Sequence, residues 1–194
     1  ELRDDLMDEE DVSDIIESTP CLPLTDYEVT KYELEKFILS DSHNGLDVAV
    51  LRPTAVVGVG SKNLVKLSDQ LINSSRITNY FRASLFGNRP MHLVPVQMVY
   101  EALIHLIFLP NPLSKQVYIV AADLDADNNF KKVEKLLREA LCIKQRRVPL
   151  IPFPQFFLRL LLRLLGRKDF SLSRNYRTDK LQSSGFQTTS SVGS

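Results

Sequence analysis

Residues 47–57 read Asp47-Val48-Ala49-Val50-Leu51-Arg52-Pro53-Thr54-Ala55-Val56-Val57. The run is β-branched and nearly continuous in apolar character. That is the pattern of a strand buried on both faces, as in a parallel sheet. Proline cannot donate to a ladder, so the strand is expected to end or bend at Pro53. Just upstream, residues 26–39 read as a helix. Tyr27, Lys31, Leu34 and Ile38 recur at helical spacing and share one face. Thr25 or Asp26 can cap its start, and Glu28 in the first turn complements the helix dipole. Gly45 closes the connection to the strand.

The pattern continues downstream. Residues 62–73 read as a second helix, 90–94 as a short strand, and 96–108 as a helix ending before Pro110. Val117–Ala121 reads as a strand. Asn128 or Asn129 can cap a further helix running to about Leu141, and residues 153–165 form a Leu-rich helix. Helices alternating with apolar strands are the signature of an α/β fold. The tail from Thr188 is rich in Ser and Thr and is expected to fray.

Composition sets the bounds. The chain has 194 residues, with 24 Lys+Arg against 24 Asp+Glu. A formal net charge of zero argues against a general nucleic-acid binder. Cys21 and Cys142 are too few for a disulfide framework and point to a reducing compartment. Two cysteines and three dispersed histidines supply no zinc spacing, so no metal is expected. No apolar run reaches the ~18 residues of a membrane span. The first residues carry neither the basic nor the apolar region of a signal peptide, which suits a cytoplasmic protein. Charge is unevenly spread. Residues 1–17 are strongly acidic, the pattern of a solvated loop or loose helix, and residues 131–180 are rich in Lys and Arg.

Tyr27-Glu28-Val29-Thr30-Lys31 carries the chemistry. Four helical residues advance ~400° and rise ~6 Å, so both end side chains project from one face. A phenol ordinarily titrates near ~10. An ammonium one turn away favours its phenolate. The pair therefore suits general acid/base work at an alcohol or carbonyl. An exposed helical pair with no chemistry has the same spacing, and context separates the two.

That context resembles the extended short-chain dehydrogenase/reductase family, in its NAD-dependent epimerase/dehydratase branch. The resemblance runs through Glu17, Thr19-Pro20, Pro23, Tyr27, Lys31 and Glu35, then Leu51-Arg52-Pro53-Thr54-Ala55-Val56-Val57-Gly58. It continues more faintly through Gly60-Ser61-Lys62-Asn63-Leu64, Met91-His92-Leu93-Val94-Pro95-Val96, and Asn175 to Leu181 with Gly185-Phe186. In that last segment the family has a Lys-bearing helix before a turn.

The resemblance implies a partial Rossmann-like parallel sheet, made of the later strands, plus a small C-terminal substrate-binding lobe. Residues 1–60 would be the remainder of a dinucleotide-binding domain and 61–187 mainly the substrate lobe with returning sheet elements. Residues 188–194 would be tail. Tyr27 would be the acid/base. Lys31 would assist it and bond the ribose of NAD or NADP. Pro53, Thr54, Ala55 and Val56 would line the nicotinamide site through backbone groups. Asn63, Arg82 and Arg89 are the substrate-binding candidates, with Arg174 competing for the phosphate. The partners expected are a nucleotide-sugar and, as a homodimer, a second copy. The implied activity is an epimerase, dehydratase or 4-ketoreductase of surface-polysaccharide precursors such as lipopolysaccharide. A hydroxysteroid- or flavonoid-type reductase, or a cofactor-free interaction module, are the alternatives.

Two departures stand out. None of the seven glycines forms the Gly-x-Gly-x-x-Gly loop, because Asn63 follows Gly58-Val59-Gly60 where the third glycine belongs. The family's catalytic Ser or Thr would fall at or before residue 1. These features lead to the expectation that further chain precedes Glu1, leaving an open sheet edge and a piece inactive by itself. The second departure is Val94-Pro95-Val96-Gln97-Met98, which replaces the family's His-Val-Asp-Asp. His92 and His105 read as structural or surface groups, and Lys62-Asn63 as a first helical turn. The apolar 153–165 helix suits a substrate lobe or subunit interface better than a membrane surface.

Overall fold

The computed structural model describes residues 14–40, 45–146, 148–151 and 174–193. The Leu-rich helix expected at 153–165 and most of the acidic run lie outside the described residues.

The first helix, α1, spans Asp26–Leu39. Thr25 is its cap: the Glu28 N–H donates to Thr25 Oγ1 at 3.3 Å, and the Thr25 N–H donates to Glu28 Oε2 at 3.0 Å. The Leu24 N–H adds a bond of 2.8 Å to the same carboxylate. The N–H donors of Leu24 and Thr25 hold the Glu28 carboxyl below its ordinary range. This reciprocal pairing satisfies the donors a helix start leaves open. Thr25→Ala is expected to cost about 1 kcal/mol, seen as faster amide exchange in the first turn of α1 with the rest of the chain unchanged.

The apolar run of 47–57 divides into β1, Ala49–Pro53, and β2, Ala55–Val57. The break at Pro53 falls where its missing N–H demands one. The two pieces also change partners. β1 pairs in parallel with β4, Gln116–Val120, and β2 pairs in parallel with β3, Leu93–Pro95. Two consecutive amides make the switch: Thr54 N–H donates to the Val120 carbonyl at 3.0 Å, and Ala55 N–H to the His92 carbonyl at 2.9 Å. The fold is thus mixed α/β with short parallel strands in two small sheets.

Among the described residues four longer helices and one short one follow β2. The longer ones are α2, Lys62–Asn73; α3, Arg76–Phe86; α4, Val96–Ile107; and α5, Phe130–Ala140. A short α6, Asp179–Ser183, carries Lys180 and precedes Gly185, whose φ of +94° makes the turn that delivers Phe186 to the core. Asn129, of the two candidate asparagines, caps α5 by accepting the Lys132 N–H at 3.0 Å. One core packs Met98, Ala102 and Leu106 of α4 against Tyr118, Val120 and Leu181. A second gathers Val57, Leu67, Ala83, Leu93, Phe130 and Val133.

Several expectations need correction. β1 is only half-buried, not covered on both faces. Its edge opposite β4 pairs with no strand among the described residues, and α1 above it buries no side chain completely. The face carrying Tyr27 and Leu34 is exposed, while Tyr32, Glu35 and Leu39 turn inward. The short strand expected at 90–94 begins at Leu93. Helix α3 is absent from the sequence reading, because its buried positions include Asn79 and Ser84 while Ile77 and Phe81 face outward. The tail does not hang free. Ser190 Oγ donates to Glu101 at 3.2 Å, and the Val192 N–H to Asp125 at 2.8 Å. Among the described residues no helix is long and apolar enough to cross a membrane.

Candidate active site at the carboxyl ends of the strands

In parallel α/β sheets, ligands bind beyond the carboxyl ends of the strands. Here those ends are Pro53 and Thr54 after β1, and Ala121 to Asp123 after β4. Helix α1 is pinned against β1 by a two-pronged ion pair. Arg52 Nε donates to Glu35 Oε2 at 2.9 Å and Arg52 Nη2 to Glu35 Oε1 at 2.5 Å. The hydrogen bond that Arg52 donates to Glu35 is the main cause that raises the Arg52 pKa. At the other end of α1, Lys115 Nζ donates to the Ser40 carbonyl at 3.0 Å. The helix therefore runs against β1. Residues N-terminal to Glu35 lie toward the strand ends, Lys31 by ~6 Å and Tyr27 by ~12 Å along the axis.

Tyr27 and Lys31 project together. Lys31 Nζ stands 5.6 Å from the centre of the Tyr27 ring, within cation–π range. Tyr27 is 70% exposed. Among the described residues Lys31 makes no ion pair, so its ammonium is free to meet an incoming group. This is the arrangement the helical spacing predicts. It is a solvent-facing pair rather than one packed into a core.

The Pro53–Val56 segment is partly committed within the protein. The N–H groups of Thr54 and Ala55 already bond Val120 and His92. What faces outward is the exposed surface of Pro53 and Val56. The Thr54 hydroxyl is buried and has no partner among the described residues. A buried hydroxyl left unmatched is uncommon and calls for an explanation.

One cluster was not signalled by local sequence. His92 Nδ1 lies 2.6 Å from Asp123 Oδ2, and the Asp123 side chain is 0% exposed. The Tyr176 N–H donates to the same oxygen at 2.8 Å. Asn128 Nδ2 lies 3.4 Å from Asp123 Oδ1. The His92 ring meets the Tyr176 ring edge-on, with centres 5.3 Å apart. Burial first, then the Asp123 charge, pushes the Tyr176 phenol above its ordinary range and keeps it a neutral donor. The only advance sign was an acid directly behind the apolar run of β4.

The substrate candidates stand on separate elements. Asn63 is exposed in the first turn of α2. Arg82 is half-buried on α3, with Nη1 buried and without a hydrogen-bond partner among the described residues. Arg89 is half-buried after α3, its backbone carbonyl accepting the Phe130 N–H at 3.1 Å, and burial lowers its pKa. Arg174 is half-buried. A 490 Å³ cavity lined by Gln182, Gly185, Phe186, Gln187 and Thr188 contains none of these side chains. Among the described residues no group of His, Cys, Asp or Glu could hold a metal, and both cysteines are free and exposed.

No protein-family model and no curated protein matches the chain. Among solved structures it is similar to a nucleoside-diphosphate-sugar epimerase from Pseudomonas aeruginosa, at 17% identity and a TM-score of 0.46. The match covers 88% of this chain and 52% of that one, so the chain spans about half that protein's length.

Proposed function

We propose that this chain is the later part of an NAD(P)-dependent enzyme acting on a nucleotide-linked sugar, as an epimerase, dehydratase or 4-ketoreductase. The observation that carries the reading is the Tyr27–Lys31 pair, held over one side of α1 while Glu35 and Arg52 dock that helix at the end of a parallel strand. The edge of β1 left unpaired among the described residues, with the exposed Val29, Leu34 and Phe37 of α1, supports a further segment completing the sheet.

The residues present suit the nicotinamide end of the cofactor. Among the described residues Thr54 has a buried hydroxyl with no partner and Lys31 an ammonium with no ion pair, and Pro53 and Val56 offer exposed surface. Lys31 would hold the ribose, and Thr54, Ala55 and their neighbours would flank the ring. When bound, the cofactor supplies the hydride chemistry. Tyr27 would pass a proton to or from the sugar oxygen, and the Lys31 charge beside it would favour the phenolate in that exchange. Asn63, Arg82 and Arg89 would serve the sugar and its diphosphate. An arginine fork suits phosphate oxygens.

The test is binding by the whole protein. Lys31→Met is expected to weaken NADH binding about tenfold, the loss of one charged hydrogen bond, read by NADH fluorescence. UDP- and dTDP-hexoses are expected to raise the melting temperature where steroids do not. NADH affinity unchanged by Lys31→Met, or stabilisation by steroids alone, would overturn the reading.

A further inference from the structure

The Tyr27–Lys31 chemistry makes no use of His92, which stands just before β3 and pairs with Asp123 past the end of β4. Asp123 is fully buried, so its carboxylate needs donors. It receives His92 Nδ1, the Tyr176 N–H and, more distantly, Asn128 Nδ2. An imidazole whose Nδ1 donates to a carboxylate presents Nε2 as its remaining hydrogen-bonding atom. Among the described residues Nε2 has no partner, and the His92 side chain is 31% exposed. His92 also takes a left-handed backbone, with φ of +51°. Such a conformation is costly for a residue with a side chain and is held only where the surroundings enforce it. Here they do: its carbonyl accepts the Ala55 N–H, and the following residue is clamped by Asn128 at both Leu93 N–H and Leu93 carbonyl.

The location matters as much as the geometry. The bond between His92 and Ala55 places the His92 backbone beside Thr54, whose buried hydroxyl lacks a partner among the described residues. Tyr176 stands against the ring, its phenol kept neutral. The open Nε2 of His92 therefore stands beside the Tyr176 ring, past the end of β4. A hydroxyl group donates and accepts at once, and is the natural complement of that nitrogen.

We propose that His92, oriented by Asp123, is a substrate-binding residue whose Nε2 takes a hydroxyl of the sugar ring. Asp123 is its positioning residue. This rests on the nucleotide-sugar reading above and adds the sugar end of that site.

The experiment compares UDP-glucose with UDP on the whole protein, by calorimetry and by the imidazole carbon–proton signals. In the unsubstituted protein the His92 signal, assigned by its loss in His92→Gln, is expected to shift with UDP-glucose and to stay with UDP. The shift itself is read on the unsubstituted protein. His92→Gln is expected to weaken UDP-glucose about five- to tenfold, the scale of one hydrogen bond, and to leave UDP unchanged. Asp123→Asn is expected to move the His92 ring proton from Nδ1 to Nε2 and to weaken UDP-glucose similarly. Equal effects on both ligands, or none, would make the pair structural and overturn the inference alone. Failure of the unsubstituted protein to bind either ligand would overturn the nucleotide-sugar reading, and this inference with it.

Discussion

Glu134→Ala is expected to lower the stability of the chain by about 3–5 kcal/mol, the cost of removing one partner from a buried ion pair. The Glu134 side chain is 2% exposed and faces two guanidinium groups. Arg138 Nε donates to it at 2.9 Å, one turn along α5, and Arg146 Nη2 donates to the same oxygen. Arg146 Nη2 also bonds the Asn79 carbonyl at 3.1 Å, so the carboxylate ties α5 to α3 through the connection that follows α5. Without it, two cations remain side by side with little water. Glu134→Gln keeps the shape and loses the charge, and is expected to fall between. Chemical denaturation reads both. A loss below about 1 kcal/mol for the alanine variant would show the pair to be far more solvated than its burial indicates.

Tyr27→Phe in the whole protein is expected to lower kcat by about 10²- to 10⁴-fold, the range for a positioned proton donor. Only the hydroxyl is removed. Tyr27 is exposed on a helix whose attachment runs through Glu35 and Arg52, so the fold should not respond. KM for the nucleotide-sugar is expected to change little, because the lost interaction belongs to the transition state. A kcat within about threefold of the parent value would remove Tyr27 from the chemistry.

Legibility in the sequence followed the range of the interactions involved. Helix α1, its Thr25 cap and the shared side of Tyr27 and Lys31 depend on residues three or four apart, and all were readable. The break at Pro53 was readable for the same reason, since a missing donor is a local fact. The change of strand partner was not, because it depends on Val120 and His92. Helix α3 hid because tertiary contacts bury its polar Asn79, whose amide donates to the Leu71 carbonyl at 3.0 Å. The His92–Asp123 pair spans 31 residues and arises only when the residue before β3 meets the segment that follows β4. The tail read as loose from its composition, yet its hydroxyls find Glu101.

The joint at Pro53 and Thr54 carries an evolutionary corollary. Most connections between elements absorb insertions and deletions easily. This one cannot, because successive strand residues face opposite sides. Val57 is in the second core and Val56 is exposed. Adding or deleting one residue would exchange them and pull the Ala55 amide away from His92. Natural variants of this chain should therefore differ in length almost anywhere before they differ between residues 52 and 57.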